Sequence, residues 1–81
     1  MVEVDKKIVV LQVIDALDSK GIAVRYHHWS GSHTLEVALR SKTDYEKSYT
    51  LFEELDNDDT FIPTCESVCG IDERNMILFM F

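Results

Sequence analysis

The sequence has little of what builds the more specialised classes of protein. Two cysteines in 81 residues, Cys65 and Cys69, are too few for a disulfide framework. They are expected to stay reduced and pack as small apolar side chains. One proline and three glycines make no linker, repeat or low-complexity tract, and a composition that is 46% hydrophobic argues against general disorder. The longest apolar runs, residues 8–11 and 76–81, fall far short of the ~20 residues that cross a bilayer. Glu3 and Asp5 come first, and Gln12 and Asp15 interrupt the apolar stretch that follows, which is not the order of a secretory signal. A cytoplasmic location is the expectation.

What is present suits one small core. The chain is read as a single domain over residues 1–81, a length that buries roughly 60–65% of the unfolded surface. Charge is unevenly placed. The net charge is −7, yet residues 1–42 sum to +1 and residues 43–81 to −8. Such a field repels nucleic-acid and membrane phosphates and attracts a basic protein surface.

Hydrophobic periodicity predicts an α+β domain of order α-β-β-α-β-β, an antiparallel sheet with both helices on one face. A first helix is expected over residues 6–20, capped by Asp5 and stopped at Lys20-Gly21, with Val10, Val13, Ile14 and Leu17 facing inward. The β-branched Ile8, Val9, Val10, Val13 and Ile14 leave a strand as the competing reading. Residues 22–29 alternate, placing Ile22, Val24 and Tyr26 inward and Arg25, His27 and Trp29 outward. Residues 34–40 alternate as well, and Ser30-Gly31-Ser32 turns between the two strands. Thr43 and Glu46 fit the capping box of a second helix, whose face Tyr45, Tyr49, Phe52 and Leu55 packs on the sheet. A third strand is expected over residues 61–68 and a last one over residues 76–81. The last strand is apolar at every position from Met76 to its end at Phe81. Either both its faces are covered or one face meets a partner.

Three constellations bear on function. Residues 53–59 hold five carboxylates, Glu53, Glu54, Asp56, Asp58 and Asp59, at a helix C-terminus, where negative charge is locally unfavourable by about 0.3–1 kcal/mol each. With Glu46 they form a candidate patch for a cationic partner, the alternative being a solubilising loop. A calcium loop is excluded, since Phe61 and Ser67 occupy the glycine and bidentate-acid positions of an EF-hand started at Asp56. Secondly, His27, His28, His33, Cys65 and Cys69 lack zinc-site spacing, because adjacent strand histidines point to opposite faces. Neither metal nor cofactor is expected. The third is Arg25, His27 and Trp29, with Arg40 across from them. That face can anchor a partner or stack a nucleotide, unless the first helix or the chain ends cover Trp29.

No nucleophile motif, phosphate loop or H-E-x-x-H is present, so an enzyme is not expected. The leading expectation is a protein-interaction module. Its sharpest form is an inhibitor or nucleic-acid mimic, by analogy with small acidic viral and mobile-element proteins. The alternative is a small-ligand or nucleotide-binding regulatory domain using Arg25, His27 and Trp29. Residues 76–81, if they lie at a sheet edge, would pair two copies into a homodimer.

Overall fold

The computed structural model of the chain describes residues 5–56 and 65–81, with Asp56 described in its backbone alone. The order is α1 (Lys6–Asp18), β1 (Val24–Trp29), β2 (Thr34–Leu39), α2 (Lys42–Asp56), β3 (Ser67–Ile71) and β4 (Met76–Met80). A short 3-10 turn, Asp72–Arg74, joins β3 to β4.

Asp5 starts α1 as expected. Its carboxylate accepts from the backbone N–H groups of Lys7 at 3.1 Å and Ile8 at 3.3 Å, two donors the helix cannot satisfy itself. The helix closes at Gly21. There the N–H of Ile22 reaches the Leu17 carbonyl and that of Gly21 reaches Asp18, which requires Gly21 at φ 70°. Val9, Val13 and Leu17 are the buried residues of α1. The inward face is therefore turned by about one residue from the expected one: Val9 takes the place of Ile14, which is 36% exposed.

The four strands form one antiparallel sheet in the order β1-β2-β4-β3. Leu35 pairs with Phe79 and Val37 with Ile77, all four buried on the same face. One core cluster joins these residues to Val9, Val13 and Leu17 of α1 and to Tyr45 and Phe52 of α2. β4 lies inside the sheet, between β2 and β3; Ile77 and Phe79 face the core, while Leu78 and Met80 on the opposite face are only half-buried. The dimer through Met76 to Phe81 is expected only of a strand at a sheet edge, and that condition is not met, since both edges of β4 are already paired.

One further expectation shifts. The strand expected over residues 61–68 is found at Ser67–Ile71 instead, with residues 61–64 outside the described chain. The strand thus runs on past Val68, and Gly70 sits within it opposite Ile77. The role of Gly70 is close approach: a Cβ there would collide with the Tyr45 hydroxyl and lie 2.8–2.9 Å from the Tyr49 ring edge.

Gly70→Ala tests this packing. An alanine in an unstrained strand normally stabilises by ~0.5–1 kcal/mol through the unfolded chain. Here the two tyrosine rings must move, so a net loss of about 1–3 kcal/mol is expected in urea denaturation. An unchanged or higher midpoint would show that the rings do not pack on Gly70.

Candidate functional site

The acidic surface is built on α2. Ser41 caps this helix, its hydroxyl oxygen accepting from the Asp44 N–H at 3.1 Å. Ser41 and not the expected Thr43 is therefore the N-cap, because the helix already begins at Lys42. Tyr45 and Phe52 are buried, and so is Ser48, a polar residue the periodicity did not single out. Its hydroxyl donates to the Asp44 carbonyl at 2.6 Å, so the small side chain enters the core with its polar atom satisfied.

These buried residues fix the rotation of α2. Glu46, Thr50, Glu53 and Glu54 then share the outward face with Lys47, all of them exposed. The three carboxylates spread along about 12 Å of helix axis. Glu46, Thr50 and Glu54 also border a groove of about 480 Å³ whose lining includes Ile22, Leu51, Lys20 and Lys47. The structure thus brings Glu46, Glu53 and Glu54 onto one surface. The side chain of Asp56, and Asp58 and Asp59 entirely, lie outside the described residues.

The other expected site is arranged differently from the expectation. A bulge falls between Val24 and Tyr26, and beyond it Tyr26 pairs with Ala38, His27 with Val37 and Trp29 with Leu35. Because side chains alternate with period two, this one-residue slip inverts the expected faces. Tyr26, expected inward, is 48% exposed. Trp29, expected outward, is half-buried against the core. Its ring centroid lies 5.7 Å from that of Phe81, and the Lys6 ammonium sits 5.1 Å above it. The first helix and the end of the described chain therefore cover Trp29, one of the two outcomes the sequence left open. Arg25, at the bulge, places its guanidinium 6.0 Å from the Tyr26 ring, while His27 and Trp29 together line a groove with Lys6, Lys7, Val10 and Leu11. The structure thus brings His27 and Trp29 onto one groove, whose lining does not include Arg25.

The sequence reading missed the cradle over Gly70. Tyr45 and Tyr49 stack with centroids 6.0 Å apart, and burial pushes the Tyr45 hydroxyl above the usual tyrosine value, with Asp72 adding like-charge repulsion. Only the spacing of the two tyrosines on α2 hinted at it, and nothing marked Gly70 as their partner. Among the described residues, no group of three or more His, Cys, Asp or Glu is placed to hold a metal ion. Nor is any described helix long and apolar enough to cross a membrane. Compared with family models, curated proteins and solved structures, the chain matches none.

Tyr45 generates an alkaline prediction. Its folded pKa is raised, so the stability it contributes is complete below the unfolded value of 10.0 and is lost as pH climbs through the folded one. The thermal midpoint should fall as pH rises above about 10, and fall less steeply in Tyr45→Phe. Identical slopes for the two proteins would remove Tyr45 from the account.

Proposed function

We propose that the chain is a small protein-interaction module that docks a cationic protein surface on the outward stripe of α2. One observation carries the reading. Glu46, Glu53 and Glu54 are held on one exposed helix face, and two of them border a groove that also offers Ile22 and Leu51 to an apolar side chain. The groove also carries Lys20 and Lys47, so a cationic partner gains its Coulomb attraction from the carboxylate stripe as a whole and its burial from the groove, the usual division of labour in an interface. The charge asymmetry reinforces it, since residues 43–81 carry all of the excess negative charge. Where the cationic surface is one that ordinarily holds nucleic acid, occupancy by this module inhibits it. Phosphate-bearing surfaces, whether nucleic acid or anionic membrane, are repelled by the same field.

The test uses a designed amphipathic helical peptide with Lys and Arg around a central Leu, followed by fluorescence anisotropy. Binding to the wild-type chain should weaken as salt rises. The triple variant Glu46→Gln, Glu53→Gln, Glu54→Gln should bind about tenfold more weakly, as expected for the loss of several exposed charge pairs. Affinity that ignores both salt and the triple substitution would refute the proposal.

A further inference from the structure

α1 carries more apolar surface than the core uses. With Val9, Val13 and Leu17 buried inside, Ile8 remains 53% exposed, Leu11 66% and Ile14 36%. Positions 7, 11, 14 and 18 are spaced by four, three and four residues, so they fall on one line along the side of α1 away from the core. Along that line the residues are Lys7, Leu11, Ile14 and Asp18, all exposed. Among the described residues, Lys7 and Asp18 take part in no ion pair.

We propose that this line is a self-complementary seam on which α1 pairs with α1 of a second copy, antiparallel about a two-fold axis. The axis passes between Gln12 and Val13, the midpoint of the line. Across it Lys7 faces Asp18 of the second copy and Leu11 faces Ile14, and each contact occurs twice, as an isologous interface requires. The order cation, apolar, apolar, anion selects this direction, because a parallel pairing would set Lys7 against Lys7 and Asp18 against Asp18. The apolar surface continues beyond the seam, where Val10 and Leu11 line a groove of about 500 Å³ together with His27 and Trp29. Three helical turns on each side offer less than the roughly 1,200 Å² of a standard interface, so the pairing is weak and concentration-dependent. The dimer does not depend on the acidic stripe of α2.

Sedimentation equilibrium on four samples tests it: wild type, Lys7→Glu, Asp18→Lys, and an equimolar mixture of the two variants. Wild type should show a monomer–dimer equilibrium on the order of hundreds of micromolar, the range expected for a small interface. Each variant alone places like charges together twice and should dimerise about tenfold more weakly. In the mixture, the glutamate introduced at position 7 of one variant faces the lysine introduced at position 18 of the other. The unaltered Asp18 and Lys7 face each other at the second contact. Both contacts are favourable, so dimerisation should return to the wild-type level. Leu11→Ser should be monomeric, with an unchanged circular dichroism spectrum because the side chain is exposed. A wild type that stays monomeric up to about 1 mM would overturn the proposal. So would variants that associate like wild type, or a mixture no stronger than its components.

Discussion

β4 hydrogen-bonds to β2 along one side and to β3 along the other, and its core-facing residues Ile77 and Phe79 are fully buried. Phe79 meets Phe52 of α2 edge to face, with centroids 4.8 Å apart at 84°, a geometry worth about 0.5–1.5 kcal/mol beyond the area buried. The chain runs helix, strand, strand twice over, and the inner strand of each half, β2 and β4, joins the halves. One core cluster draws on both halves. Val13 and Leu17 of α1 share a cluster with Ile77 and Phe79, residues some sixty positions away, so the first helix has nothing complete to pack on until the last strand arrives.

That constraint decides which surfaces remain for function. With β4 interior, Ile77 and Phe79 are consumed by the core, while Leu78 and Met80 stay half-buried on the opposite face. The bulge at Arg25 then sends His27 and Trp29 to the α1 side of β1, where Trp29 lies between Lys6 and Phe81. The aromatic residue that looked most available for recognition is thereby committed to holding the first helix near the edge strand. What α1 and α2 turn outward differs in kind. α2 shows a stripe dominated by carboxylates, and α1 shows an apolar line with one charge of each sign at its ends.

Features governed by local chemistry were legible in the sequence. Asp5 at an N-cap, Gly21 at a helix end and the outward Glu46, Glu53 and Glu54 each follow from periodicity or capping within a few residues. The errors came from non-local pairing. Alternation over residues 22–29 carries no mark of a bulge, since an inserted residue reads like any other until its partner strand is known. The rotation of α1 was ambiguous because every position from Ile8 to Leu11 is apolar, and tertiary packing chose Val9 over Ile14. The place of Gly70 was hidden because the two tyrosines that need its missing side chain lie more than twenty residues earlier.

The two proposed surfaces obey opposite electrostatic rules. A chain of net charge −7 resists pairing with itself wherever the acidic excess takes part, so any self-association must use a surface that is locally balanced. α1 meets that condition, since it lies in the part of the chain that sums to +1 and its seam carries Lys7 at one end and Asp18 at the other. Hetero-association gains from the opposite arrangement, and the carboxylate stripe of α2 supplies it. If α1 pairs two copies, each dimer presents two acidic stripes, and a cationic partner with two matching sites gains effective concentration for its second contact. Weak pairing on α1 would then raise avidity on α2 only where the partner is itself repeated, which makes an extended or oligomeric cationic surface a better-suited target than a single isolated patch.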